Sequence, residues 1–457
     1  MIWYGRAFAI AGAVAATWAL GAQSANAQSV FCPAGGGFVL TSGLCTNGAT
    51  GAFSSAALSS QVIGEIQQST AQQATTAALD AISARRVAET ELCPDGMVRI
   101  NGACHRSRTV DTAAPKGRRR STAAPSKVVT THPSPAIDHT SFAIWGQGFG
   151  DYERRNENPL GTIGGIAGGG GGGVQSLTLA LKQRATTAGG LVGADWTRRS
   201  FFSTNDILIT GLLVGYTSTD ISLRATSAPV SPIVDATVSS GNSVSSVRIS
   251  GPSVGAFYTY ANGAFSNDST FKVDFLDVTE SFTETLGFNN GAAPVTISGA
   301  ASTRLTNYTI ASNFQYRFPL SQQLWFEPTG GFRYIASRYA SDAATLGLES
   351  GHVWRLQAGV RWGAEAMWNT VRVTTTITGL AYSDVDVAGG PISGGAAGGS
   401  FVGTTILASD EGKVRGQGIL LNTFDFGNGY SAFAQGEVRG GSGLFGIGGR
   451  GGVRVQF

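Results

Sequence analysis

Gly446-Ile447-Gly448-Gly449-Arg450-Gly451-Gly452-Val453-Arg454-Val455-Gln456-Phe457 alternates apolar and polar side chains up to a terminal aromatic. In a strand, successive side chains point to opposite faces. Val453, Val455 and Phe457 therefore share one face, and Arg450, Arg454 and Gln456 share the other. The pattern predicts a strand with one face in an apolar medium and one in water. Such a strand leaves an unpaired edge unless it joins another, so it is expected to complete a sheet begun earlier in the chain.

Short alternating segments of this kind recur from Ser141 onward. In Asn307–Phe318, Tyr308, Ile310, Phe314, Tyr316 and Phe318 face one way, and Asn307, Thr309, Asn313, Gln315 and Arg317 the other. In Val353–Trp362, Trp354, Leu356, Ala358, Val360 and Trp362 oppose Arg355, Gln357 and Arg361. A soluble sandwich would also alternate, but aromatics at strand ends on the apolar face are the interfacial girdles of a membrane barrel.

Strands are expected near 142–152, 187–198, 206–219, 247–262, 269–283, 303–318, 324–338, 351–364, 371–383, 413–426, 429–439 and 446–457, twelve in all. The segment Val174–Arg184 is taken as an extension within the first loop. Links after the second, fourth, sixth, eighth and tenth strands are tight, for example Pro319–Gln323. Those after the first, third, fifth and ninth are long and rich in Gly, Ala, Ser and Thr, for example Asn156–Gly173 and Ser383–Ser400. Short turns on one side and long loops on the other are what an outer-membrane barrel requires. The fold class is thus all-β, a twelve-stranded antiparallel transmembrane β-barrel over 141–457 behind a small helical and disulfide-hairpin module.

The start of the chain fits this reading. Arg6, an apolar stretch from Ala7 to about Ala22, and Ala25-Asn26-Ala27 predict a secretory signal over residues 1–27, cleaved after Ala27. The residue directly after the cleavage point is Gln28 and not Cys, which argues against a lipoprotein. Elsewhere no uncharged apolar run approaches the ~20 residues of a membrane helix, so any membrane crossing must use strands. Charged residues are 13 % and mean hydropathy is +0.06, which excludes both a highly charged disordered chain and a helical membrane protein. A net charge of +3 is too small to imply a nucleic-acid partner.

Residues 28–105 hold all four cysteines in two similar units, Cys32–Cys45 and Cys93–Cys104, each opening Cys-Pro and turning on Gly. An exported chain meets an oxidising compartment, so local pairing of Cys32 with Cys45 and of Cys93 with Cys104 is expected, although four cysteines allow three pairings. Zinc pairs sit closer in sequence than these. Between the hairpins, Ser54 to about Glu91 places Leu58, Val62, Ile66, Ala78 and Ile82 at helical spacing. Residues 106–140, with Pro115, Pro125, Pro133, Pro135 and the run Lys116–Arg120, read as a disordered linker.

Together these residues resemble the autotransporter β-domain of type V secretion in Gram-negative bacteria. The resemblance rests on Phe142–Tyr152, a Gly-x-Asp-aromatic turn at Gly193–Trp196, Gly211–Tyr216, Phe326–Tyr334, Gly359–Trp362 and the terminal Val-Arg-Val-Gln-Phe457. It implies a monomeric twelve-stranded barrel in outer-membrane lipid that exports or displays an N-terminal passenger. It also implies Sec export, periplasmic chaperones, and a barrel-assembly machinery that reads the terminal strand, with Val453, Val455 and Phe457 as the assembly signal. Two features depart from the family. The module is far shorter than a β-helical passenger, and Pro133 and Pro135 stand where a helix usually enters the lumen. A non-exporting structural, adhesive or porin-like barrel with a periplasmic module therefore remains an alternative.

Catalytic patterns are weak. Gly251-Pro-Ser-Val-Gly255 matches a nucleophile elbow, which needs a strand-to-helix turn and a partner His, whereas here an alternating strand continues. Gly446–Gly451 fits a dinucleotide fingerprint with no helix behind it. His105, His132, His139 and His352 have no spacing suited to metal or acid-base work. The chain is read as no enzyme and as needing no cofactor or metal. Inward Arg317, Arg333, Arg355, Arg361, Arg372 and Arg454, with Glu327 and Glu437 among them, are candidates for a charged lumen lining or for a mutually paired, hydrated interior.

Overall fold

The structure, a computed structural model, describes residues 97–100, 103–106, 140–157, 160–163, 175–203, 206–229, 238–288, 295–321, 323–341, 350–388 and 412–457. The expected signal, helix, linker, long loops and cysteine pairing lie largely outside these residues. Of the second cysteine unit, the backbone of a small antiparallel hairpin is described, β1 (Met97–Ile100) with β2 (Ala103–Arg106), in which Arg99 stands opposite Cys104.

Every other described element is a strand. In order these are β3 (Ser141–Glu157), β4 (Leu160–Ile163), β5 (Gln175–Arg199), β6 (Asp206–Pro229), β7 (Val238–Asn262), β8 (Phe265–Phe288), β9 (Val295–Tyr316) and β10 (Phe318–Pro319). They continue with β11 (Leu324–Tyr339), β12 (Gly351–Trp368), β13 (Val371–Ala388), β14 (Val414–Gly427), β15 (Tyr430–Gly441) and β16 (Leu444–Gln456). Apart from the short β4 and β10, each long strand pairs antiparallel with its neighbour in sequence, β11 pairs back onto β9, and β16 pairs with β3. The ring is closed by twelve long strands with no free edge. Closure satisfies the backbone hydrogen bonds that an open sheet would leave bare in lipid.

Sequence-specific turns join the strands at one end. After β5, the Asp206 carboxylate accepts N–H bonds from Phe201, Phe202 and Ser203 at 2.6, 2.8 and 2.9 Å. Between β14 and β15, Gly427-Asn428-Gly429 takes three successive positive φ values (75°, 52° and 82°). Only Gly, with Asn as the best-tolerated substitute, adopts that conformation readily.

Three expectations differ from the structure. Val174–Arg184 is no loop extension, because from Gln175 it is the first half of β5 and pairs with β6 from Leu177 opposite Pro229 onward. The Gly193–Trp196 segment is no turn. It lies inside β5, and the chain reverses after Arg199. The sixth strand breaks at Arg317, after which Phe318 and Pro319 pair separately with Phe326 and Trp325.

The strands also run longer on one side than expected. Strands β5 to β9 have 22 to 25 residues, while β14 to β16 have 12 to 14. At about 3.4 Å per residue and a tilt of about 40°, the first group rises about 60 Å along the barrel axis and the second about 35 Å. An apolar belt is about 25 Å tall, so one wall of the barrel reaches well beyond it.

The outer side chains mark the belt. On β6 the outward series runs Leu208, Thr210, Leu212, Val214 and Tyr216, then turns to Ser218, Asp220, Ser222 and Arg224. On β8 it runs through Phe271, Val273 and Phe275, then Asp277, Thr279 and Ser281. On β9 it runs Tyr316, Phe314, Ile310 and Tyr308, interrupted by Ser312, which bonds Asn267 and Ser269 on β8, and is polar from Thr306 to Arg304 and Ser302. Past that boundary the inner face becomes apolar. Ile221, Leu223, Val247, Ile249, Leu276, Val278 and Leu305 are all buried there.

Candidate functional site

The seam between β16 and β3 is where a single chain becomes a closed ring. Phe457 N–H donates to the Phe142 carbonyl at 2.8 Å, and Phe142 N–H donates to the Phe457 carbonyl at 3.4 Å. Their rings stack at 6.5 Å. Gln456 Nε2 donates to Ser141 Oγ at 2.9 Å. Val453 and Phe457 are exposed on the outer face and Val455 is half-buried, while Arg450 and Arg454 are buried on the inner face.

Inside the seam lies a charged network that the sequence pattern did not isolate. Arg439 on β15 donates to Asp151 and, at 3.1 Å, to Glu153, both on β3, and to Glu437 on its own strand at 2.6 Å. Arg450 on β16 donates to Glu437 at 2.7 Å, and Arg155 to Glu153 at 2.7 Å. All six side chains are withdrawn from solvent. Removed from water, such ions are tolerable only when each is paired.

Strand β16 lies between β15 and β3, yet Arg439 reaches across it. The glycines of the terminal strand make this possible. A Cβ at Gly446 would lie 2.8 Å from Arg439 Nε, and one at Gly448 would lie 2.6 Å from Asp151 Oδ2. The run resembling a dinucleotide fingerprint thus has a packing reason. Alternation alone places Asp151, Glu153, Glu437, Arg439 and Arg450 on inner faces, but period two says nothing about which strands meet.

The arginines singled out from the sequence lie on inner faces and are spread around the ring. Arg355 forms a two-pronged pair with Asp384 at 2.7 and 2.9 Å and lies 4.2 Å over the Tyr382 ring. Arg317 bonds Glu327 at 2.7 Å and stacks 4.6 Å over Trp325, and Arg361 approaches the same Glu327 at 3.6 Å. Arg372 pairs with Glu365 at 3.1 Å, and Arg454 lies 3.9 Å from Asp195. Arg333 is buried on β11 opposite Arg355. The barrel does not gather these six at one point, and most hold a partner on the same or an adjacent strand.

Next to the seam, from the same strand β3 across to β7, the interior holds an apolar cluster. Trp145, Phe149, Leu191, Ile209, Leu213 and Phe257 form one buried cluster. Its aromatic rings occupy the space beside inward glycines of a neighbouring strand. A Cβ at Gly193 would come within 2.4 Å of Trp145, one at Gly189 within 2.4 Å of Phe149, and one at Gly211 within 2.4 Å of Phe257. Two glycines quoted in the family resemblance, Gly193 and Gly211, therefore serve as seats for rings, a device that rescues glycine in sheets.

Ser253 of the elbow-like pattern sits mid-strand on β7 opposite Asp274, with no strand-to-helix turn and no His beside it. His352 bonds Asp386 at 3.1 Å near the rim. Among the described residues, no group of three or more His, Cys, Asp and Glu side chains is placed to hold a metal ion.

The class these features define is a closed antiparallel β-barrel with an apolar outer belt and an interior divided between ion pairs and aromatic packing. Among solved structures, the chain is similar to the β-domain of the Bordetella autotransporter BrkA (14 % identity, TM-score 0.42, 69 % of this chain and 100 % of that one). It is similar to the translocator domain of the autotransporter NalP from Neisseria meningitidis (15 %, TM-score 0.34, 70 % and 90 %). It is also similar to a Pseudomonas aeruginosa FadL homologue (10 %, TM-score 0.30, 70 % and 91 %). No family model matches the chain, and no curated protein does.

Proposed function

We propose that residues 141–457 form an outer-membrane barrel of the autotransporter kind, which anchors the chain and exports or displays the module at 28–105. The observation that carries this is the placement of the barrel's two ends. Ser141 and Phe457 meet at the short-turn end, and the apolar belt girdles the strands above them. A module attached ahead of Ser141 enters from that side and reaches the long-link side only by passing through the ring. Export across the inner membrane by the Sec route, escort by periplasmic chaperones and insertion by the barrel-assembly machinery complete the pathway, with Phe457 at the seam as the recognised end. On this reading the protein is a monomeric membrane anchor and is not an enzyme.

Protease added to intact cells tests the reading. Display predicts that residues 28–140 are cut while the barrel survives. Full protection of that segment would contradict export. A second reading, a barrel that anchors without exporting, is favoured by the interior itself, since Lys272, Glu327, Asn307 and Thr309 are fully withdrawn from solvent. Protection in the same experiment supports that reading.

A further inference from the structure

The outer surface of β3, β5 and β6 carries a basic cluster that begins just past the apolar belt at Arg154. Arg154 on β3, Lys182 and Arg184 on β5, and Arg224 on β6 line a concavity of about 270 Å³ together with Asn156 and Ser222. The ladder sets like charge against like. Arg154 stands directly opposite Arg184, and Lys182 directly opposite Arg224. Like charges directly opposite on neighbouring strands destabilise a sheet. Among the described residues none of the four has a carboxylate within ion-pair distance, and the nearby outward Asp220 is engaged by Arg248 at 3.9 Å. Repulsion of this kind is relieved by an anion seated between the cations.

Position selects the anion. Phe445 stands opposite Arg154, and Tyr152 is the next outward residue below it. On β6, Tyr216 closes the apolar series four outward positions below Arg224. A lipid whose acyl chains lie along the belt brings its headgroup to the level of Arg154, beside Phe445 and next above Tyr152. Guanidinium groups bind phosphate oxygens through paired, charge-assisted hydrogen bonds. From the opposed cations and their height we infer that the concavity is a binding site for the phosphorylated headgroup of a membrane lipid. The inference rests on the membrane reading of the belt and not on export of the module.

The test uses the full chain folded in neutral detergent and then placed in phosphatidylcholine nanodiscs carrying either bis-phosphorylated lipid A or the same lipid stripped of phosphate. Retained lipid is counted by native mass spectrometry. The wild type should retain the phosphorylated form at least about tenfold better, a modest difference for several charge-assisted contacts. The variant Arg154→Gln/Lys182→Gln/Arg184→Gln/Arg224→Gln should lose that preference, yet melt no lower than wild type in neutral detergent. Arg304→Gln, outside the concavity, should keep the preference. Should the fourfold variant fail to fold, Arg184→Gln/Arg224→Gln, which breaks each like pair once, takes its place. Equal retention of both lipids by wild type, or an undiminished preference in the variant, overturns the inference. Displacement of lipid A by inorganic pyrophosphate alone also overturns it, in favour of a soluble phosphate site. A chain that enters neither nanodisc contradicts the belt itself, whereas entry without phosphate preference contradicts only the lipid site.

Discussion

The two halves of strands β5 to β9 obey the same period-two rule with different outward faces. In the half nearest the short turns, Leu212, Val214, Tyr216, Tyr258, Phe271 and Phe314 point outward and are exposed. In the far half the outward positions are Arg184, Asp220, Arg224, Asp277 and Ser281, and the inward ones are Ile221, Ile249, Leu276 and Leu305. On the proposed membrane reading, one continuous ladder passes from hydrocarbon to water. The outward side chains turn from apolar to polar while the backbone pairing continues. Where the described strands are short, at β14 to β16, the described residues show no such extension, and charge pairing holds the interior instead.

The largest expected effect breaks that contrast at the seam. Arg439→Met leaves Asp151, Glu153 and Glu437 buried without their shared cation, and should cost about 3–5 kcal/mol or abolish folding. Urea titration of the heat-resistant folded form reads the loss, and adding Asp151→Asn and Glu153→Gln should recover part of it. Next, an arginine placed outward separates the two halves of the tall wall. Leu212→Arg in the belt should cost about 2–4 kcal/mol in lipid, while Ser281→Arg beyond it should stay within about 0.5 kcal/mol. Equal costs would remove the distinction. Gly211→Ala, which pushes a methyl against the Phe257 ring, should cost about 1–3 kcal/mol through overpacking. Smallest in stability is Phe457→Ala. It removes a stacked, largely exposed ring and should shift unfolding by less than about 1 kcal/mol, yet lower the yield of assembled barrel in cells. Normal yield would remove Phe457 from the assembly signal.

The contrast also explains what was legible in the sequence. Alternation with apolar residues outward locates all twelve strands, and the short links between them fall where expected. The expected strands stop at 219 on β6, at 247 on β7 and at 283 on β8, short of Pro229, Val238 and Phe288, because beyond the belt the outward residues are polar and the far ends lose their apolar alternation. Ser240–Ser246 shows no apolar alternation, because Val244 is its one apolar side chain. Val174–Arg184 is strand-like in sequence, but its pairing with β6 becomes evident only in the ladder. At the candidate site, the face of each arginine follows from parity, but its partner does not. Arg439 finds Asp151 across an intervening strand of glycines, a contact between residues 288 positions apart. The glycines of the terminal strand suggest a motif when read along the chain and a gap when read across it.

The most direct test places single cysteines along β6, from 208 to 224, in the folded chain in lipid, and measures each label's quenching by brominated acyl chains and by a water-soluble quencher. The account predicts lipid quenching at even positions through Tyr216, little of either quenching at odd positions, and aqueous quenching at even positions from Ser218 onward. Lipid quenching that continued evenly to Arg224, or aqueous quenching at Leu212 and Val214 equal to that at Ser222, would contradict a barrel whose outer face changes solvent along a single strand.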